Sequence, residues 1–378
     1  MKLIKNFKID ISILICILLL CIISLISINS AQYLIDDKTL VFKQILWYTL
    51  GFIVAFIIMI IGNKSLIKYS YIMYIIGIIL LILVLFFGAD INNSKCWFKI
   101  PGIGNFQPSE FMKIILILVL SNQIDKFREN NPSPSVKDEF IFLLKIMIIV
   151  LIPSILTFLE PDTGVVLIYL LITFIMLLIS GVRYRWFILV ISILLLSIGT
   201  ILGLYFLNND LFIKIFGSSF FLRIDRLLDW SNGSGYQLEQ GITSIGSAGL
   251  LGFGLNKTPI YFPEPQTDFI FAVYSNNFGF IGSVILISVL TIFDIKLIKL
   301  AIESEKNINK YLIAGIVGML IYQQVQNIGM TIGLMPITGI TLPFISYGGS
   351  SLLSYMIMIG IIFNISKENI IYRNKKKK

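Results

Sequence analysis

The chain has no histidine, three cysteines and only 13% charged residues among its 378. Without histidine, no side chain titrates near neutral pH in its ordinary state, so proton transfer falls to carboxylates. Cys16 and Cys21 lie in the first apolar run and Cys96 lies in a different segment, a scatter that implies no disulfide framework. The shortage of charge decides the class. Hydrophobic residues make up 57% of the chain and the mean hydropathy is +0.90, outside the range of a soluble globular domain.

Apolar stretches long enough to cross about 30 Å of hydrocarbon occur near 10–29, 44–62, 69–88, 107–122, 140–158, 164–181, 186–207, 269–293, 311–333 and 346–365. The reading is an all-α polytopic membrane protein with ten transmembrane helices. It forms one domain over 1–378, with a long connection at 208–268 between spans seven and eight and a basic tail at 366–378. The first run is about twice the length of a signal-peptide core, so it reads as an anchor.

A net charge of +9 raises nucleic acid as a partner, but the placement of the charges excludes it. Twenty of the 30 Lys and Arg residues fall on the side that carries both termini, against eight on the side of the long connection. The positive-inside rule then puts both termini in the cytoplasm and 208–268 outside. Lys145 falls inside a span near its cytoplasmic end and is read as snorkelling.

Ionisable residues at membrane depth are costly, so each is a candidate for function. Glu110 and Lys113 lie three apart on one helix face, where they form either a structural ion pair or part of a site. Asp162 opens the sixth span and Asp268 the eighth; either could be a helix N-cap. Glycines at 241, 246, 249, 252 and 254 suggest close backbone packing more than phosphate cradling, because no strand precedes them. In 220–230, apolar residues at helical spacing with Arg223 and Arg226 on the polar flank predict a helix lying along the membrane surface. The run PFISYGGSS at 343–351 places Ser346 and Ser350 at the mouth of the last span.

Taken in order, Phe106-Gln107-Pro108-Ser109-Glu110 with Lys113, Glu160-Pro161-Asp162-Thr163-Gly164, Gly235-Tyr236-Gln237 with Gln240, Thr267-Asp268-Phe269-Ile270-Phe271, and Pro336 to Gly339 running on to Ser351 resemble the SEDS family (shape, elongation, division and sporulation proteins). The resemblance spans nearly the whole chain. It implies a peptidoglycan glycosyltransferase that polymerises lipid II, the undecaprenyl-diphosphate-linked disaccharide-pentapeptide, on the outer face of the cytoplasmic membrane. It matches Asp268 to the family's essential aspartate, and Glu110, Lys113, Asp162, Arg226 and Gln237 to other recurrent polar positions. Asp268 then acts as base or as holder of a divalent cation, Mg2+ or Mn2+, with Arg223, Arg226, Lys113 or that ion neutralising the diphosphate. The implied partners are a class B penicillin-binding protein and other membrane proteins of the elongation complex, with cell-shape maintenance as the role. A lipid II flippase, a division- or sporulation-branch polymerase and a non-catalytic scaffold are the alternatives. Where the family has a pair of glutamates, this chain has Asn276-Asn277.

Overall fold

The computed structural model describes residues 9–91, 94–100, 104–218, 220–221 and 235–376. Its elements are α1 (Ile11–Ile35), α2 (Leu40–Ile61), α3 (Asn63–Lys68), α4 (Ser70–Phe87), β1 (Ala89–Ile91), β2 (Ser94–Ile100), β3 (Gly104–Phe106), α5 (Pro108–Asn130), α6 (Val136–Leu159), α7 (Thr163–Ile179), α8 (Tyr184–Leu207), α9 (Asn209–Phe216), α10 (Tyr236–Ser247), α11 (Ile270–Ile302), α12 (Asn307–Thr331) and α13 (Gly349–Lys376).

A long helix stands at each of the ten expected stretches. Seven of the described helices are long and apolar enough to cross a membrane by length and composition alone. The others, α5, α7 and α12, have identifiable reasons for falling short. Helix α7 has only 17 residues, while α5 and α12 carry amides and charges that are buried inside the bundle and lower their hydropathy.

These two polar helices run through the middle of the fold. Helix α12 packs on α5, α7 and α11, and α5 packs on α4, α7 and α13. Lipid-facing apolar residues cover the perimeter, as in α2 and α4. Helix α8 is peripheral throughout, with nearly every apolar side chain exposed and its main packing on the short α9.

One departure from the all-α expectation is a small antiparallel sheet of order β1-β2-β3 between α4 and α5. It turns the buried Cys96 inward, where its thiol donates to the Glu160 carbonyl at 2.8 Å. The sheet thereby ties the start of α5 to the α6–α7 connection. The surface helix expected over 220–230, with Arg223 and Arg226, lies almost wholly outside the described residues.

The glycines near 250 serve packing. Gly279 interrupts α11 with φ 64° and ψ −159°, a region open in practice only to glycine. A Cβ there would sit 2.5 Å from the Gly252 nitrogen and the Leu250 carbonyl. Around this kink, Phe253 N donates to Asn276 O and Gly254 N to Asn277 O, both at 3.0 Å. The 249–254 turn is thus fastened to α11, leaving those amides no part in an anion cradle. Gly279→Ala adds a backbone cost of about 1–3 kcal/mol from conformation alone together with this clash, so thermal unfolding in detergent is expected at a clearly lower temperature than for Ser288→Ala on the exposed face of the same helix.

Candidate active site

Asp268 sits in the turn before α11. Pro263 and Pro265 stiffen the approach, and Phe269 packs against Phe262 with ring centroids 6.0 Å apart. Phe269 also fills the space above Gly241, where a Cβ would lie 2.6 Å from its ring. Three successive carbonyls of the turn are engaged from other segments. Tyr347 N donates to Gln266 O at 2.8 Å, Ser346 Oγ to Thr267 O at 2.7 Å, and Asn327 Nδ2 to Asp268 O at 2.9 Å. Gln237 Nε2 donates to Pro263 O at 3.1 Å and so holds the preceding loop to α10.

The Asp268 side chain is different. Phe269 occupies the cap position of α11 and no side chain caps that helix, so the cap reading does not apply to Asp268. No described group donates a hydrogen bond to its carboxylate. Burial, then the charges of Glu264 and Asp162, push its pKa up to about 7. A Cβ on Gly339 would come within 3.7 Å of its Oδ2, which puts the carboxylate against the 338–340 segment. That segment also meets Asp162's helix, since a Cβ on Gly164 would lie 2.8 Å from Thr338 O.

Asp162 is both cap and site residue. Its Oδ1 accepts from Val165 N at 3.2 Å, the N-cap bond of α7. Its Oδ2 accepts from Gln107 Nε2 at 2.9 Å and from Ser109 Oγ at 3.5 Å. Burial raises its pKa to about 6 against the opposing effect of these bonds. Gln107 is in turn fixed by Trp97 Nε1 at 3.2 Å and by Ser350, whose Oγ accepts from Gln107 N and donates to Asn105 O, both at 3.0 Å. Ser346 and Ser350 therefore act by positioning, one on each aspartate's support.

Glu110 and Lys113 form their expected pair at 2.7 Å, with the lysine side chain fully buried. The Lys113 ammonium lies 5.5 Å from the Tyr355 ring centroid, and Tyr355 OH accepts from Gln323 Nε2 at 3.0 Å. The pair is close enough to Asp162 to act on its charge. Among the described residues Lys113 is the cation that belongs to this cluster.

Three residues escaped the sequence reading. Gln107 had a signal, because a residue before proline is pushed out of the helical region, and it is extended here at φ −112°. Asn327 had one too, in the four amides Gln323, Gln324, Gln326 and Asn327 inside an apolar span. Asp294, buried where Gln324 Nε2 donates to it at 3.3 Å, stands just past the boundary assigned to its span. Asn276 and Asn277 are fully buried: Asn276 Nδ2 donates to Ser244 O at 2.7 Å and Asn277 Oδ1 accepts from Thr258 Oγ1 at 3.2 Å. They join α11 to α10 and to the loop that follows it.

No group of three or more carboxylate or cysteine side chains poised to hold a metal occurs among the described residues. A hard divalent cation needs only one or two carboxylates when substrate phosphates complete its shell. The Asp268 carboxylate, which accepts no hydrogen bond from the described residues and is repelled by its acidic neighbours, fits that kind of donor.

Glu160 stands beside Asp162, is 0% exposed, and neither carboxylate oxygen has a hydrogen-bond partner. Burial and then Asp162 raise its pKa from 4.5 to about 9. The folded protein therefore holds this proton more tightly than the unfolded chain. Its contribution is full below pH 4.5 and is lost as pH rises to about 9, with a limiting slope of about 1.4 kcal/mol per pH unit. Glu160→Gln is expected to flatten the fall in melting temperature between pH 5 and 9, read by unfolding in detergent at a series of pH values.

The comparisons with known proteins agree with this architecture. The family model FTSW_RODA_SPOVE, described as "Cell cycle protein", matches residues 6–370. Stage V sporulation protein E of Bacillus subtilis is 32% identical over 382 residues, covering 96% of this chain and 98% of that protein. The probable peptidoglycan glycosyltransferase FtsW of Coxiella burnetii is 32% identical over 383 residues, covering 96% and 97%. A solved chain from "Structural coordination of polymerization and crosslinking by a peptidoglycan synthase complex" superposes with a TM-score of 0.78 at 25% identity, covering 96% of this chain and 98% of that one. The chain belongs to the FtsW/RodA/SpoVE family of polytopic membrane proteins.

Proposed function

We propose that the chain is a peptidoglycan glycosyltransferase that polymerises lipid II, with Asp268 as the general base. The observation that carries this reading is the Asp268 carboxylate itself. It is anchored through its backbone, without a hydrogen bond to its side chain among the described residues, and raised to a pKa of about 7. A base works best when its pKa lies near the operating pH. Joining the acceptor sugar hydroxyl to the donor anomeric carbon with inversion requires one group to take the hydroxyl proton. The departing lipid diphosphate needs charge stabilisation and little acid help.

Asp162 is already committed to Gln107, Ser109 and Val165, so it supports the site and sets the charge felt by Asp268. In the alternative role, Asp268 would hold a Mg2+ or Mn2+ ion that activates the acceptor hydroxyl and neutralises the diphosphate. Arg223 and Arg226 are the candidates in the chain for the same task.

The placement of charge favours this reading over transport. Glu110 and Lys113 lie in the first two turns of α5 and Asp162 and Asp268 at helix ends, whereas a translocated headgroup calls for charges near the midplane. The termini are cytoplasmic on the positive-inside argument, and Asp268 then faces the outer side. A class B penicillin-binding protein is the proposed partner, since a similar chain is part of a peptidoglycan synthase complex. The elongation branch is preferred on loop lengths, with division and sporulation as the other branches.

The test is polymerisation of labelled lipid II by the purified protein with its transpeptidase partner. Asp268→Asn is expected to lower the rate by about 10²- to 10⁴-fold while the complex stays intact. Glycan ladders that survive the substitution would remove Asp268 from the chemistry, and an inert but partner-bound wild type would favour the scaffold. Lipid II crossing sealed vesicles with the same dependence would favour the flippase.

A further inference from the structure

At the end of the bundle away from Asp268, the start of α4, the end of α5 and the start of α6 border an open recess of 580 Å³. Lys126 and Lys145 both line it, and neither forms an ion pair among the described residues. Lys145 is the more demanding of the two. It lies nine residues into α6, or about 13 Å along the helix axis, where an ammonium group needs an anionic partner or a route to water.

Gln123 supplies an independent sign of a ligand. It is 7% exposed, lines the recess, and its side-chain amide has no hydrogen-bond partner among the described residues. The adjacent Asn122 is satisfied, donating to Ile67 O and Ser70 Oγ at 3.4 Å each. Tyr71 adds a hydroxyl to the lining. The carboxylate in the lining, Asp138, is already spent on the capping box of α6, where it accepts from Ser135 N at 3.0 Å and Ser135 Oγ at 2.7 Å. The recess therefore carries two lysines against the one carboxylate, which is turned to its own helix cap, so one positive charge is in excess, with Tyr71, Gln123, Asn130 and Asn131 as neutral polar lining.

Its remaining wall is apolar. Phe127 and Phe142 stack at 4.1 Å to form the floor, and the side opens onto the lipid-facing row of α6 through the exposed Ile141. Paired cations beside such a face suit an amphiphile with a phosphate head. A soluble anion would leave the apolar side empty.

We propose that this recess binds one anionic phospholipid, its phosphate held by Lys126 and Lys145, with Gln123 and Tyr71 donating to the headgroup and an acyl chain lying along α6. Its occupation is independent of the chemistry at Asp268.

The experiment uses the full-length protein in mixed micelles of phosphatidylglycerol and phosphatidylcholine, with retained lipid counted by native mass spectrometry. Wild type is expected to keep one phosphatidylglycerol in preference to phosphatidylcholine. Each lysine near a lipid phosphate contributes about a fivefold preference, so Lys126→Gln with Lys145→Gln should weaken retention roughly 25-fold. The double Arg replacement should preserve retention, and Lys296→Gln with Lys299→Gln, outside the recess, should leave it unchanged. Gln123→Leu should weaken it by a smaller factor and serves as the deciding variant if the double Gln protein is not monodisperse. Retention unaffected by the double Gln change or, in that event, by Gln123→Leu overturns the proposal. So does equal binding of inorganic phosphate alone, which would identify a free-anion site.

Discussion

Irregular backbone can sit at the end of a membrane bundle only if each buried carbonyl is given a donor, because lipid supplies none. Two non-helical segments, 264–269 and 336–348, meet that requirement through each other and through the helices around them. Asn327 donates to both Asp268 O and Ile340 O, so one amide stitches the two segments together. Tyr48, Ser24 and Gln44 donate to the carbonyls of Phe344, Ile345 and Ser346 in succession. With Ser346 and Tyr347 closing the contact to the Asp268 turn, removing any one donor would leave a buried carbonyl at a cost of about 1–3 kcal/mol. This lattice fixes the Asp268 backbone without using its side chain, and the carboxylate is left free to react.

The same end of the bundle gathers acidic groups whose environments differ. Asp162 and Asp268 are both buried beside other carboxylates, but among the described residues the Asp162 carboxylate receives three donors and the Asp268 carboxylate none. Hydrogen bonds to a carboxylate favour its charged form, whereas desolvation and like charge favour the proton. Burial raises all three, to about 6 for Asp162, about 7 for Asp268 and about 9 for Glu160, so Glu160 keeps its proton well above neutrality while the two aspartates lie close to it. Pairs of titratable groups pushed apart in this way are how one site assigns its acid and base roles. Glu110 and Lys113 neutralise one another below this cluster and hold the start of α5 against it.

Much of this could be read from sequence, for reasons that differ by element. The long helices followed from apolar run length, and the Glu110–Lys113 pair followed from i, i+3 spacing. Asp162 and Asp268 stood out as carboxylates at membrane depth, yet both allowed a cap reading; only the geometry separates Asp162, which caps, from Asp268, which does not. Ser346, Ser350 and Gln237 stood out by their polarity, but their hydrogen bonds to backbone carbonyls of other segments could not be read from the sequence. Gln107 and Asn327 each left a trace, one as the extended residue before Pro108 and the other in a run of amides inside an apolar span, but which carboxylate or carbonyl each amide meets depends on contacts between distant segments. The small sheet was missed because its strands are short and lie between runs whose hydropathy dominates the reading.

The most direct test of the central claim is the pH dependence of glycan polymerisation. With Asp268 as base, kcat/KM should rise with pH and level off above an apparent pKa near 7. Glu264→Gln removes one of the negative charges that raise this value, so the midpoint should move to lower pH while the plateau persists. An acidic limb with the same midpoint in the wild type and in Glu264→Gln, or no acidic limb at all, would contradict the account.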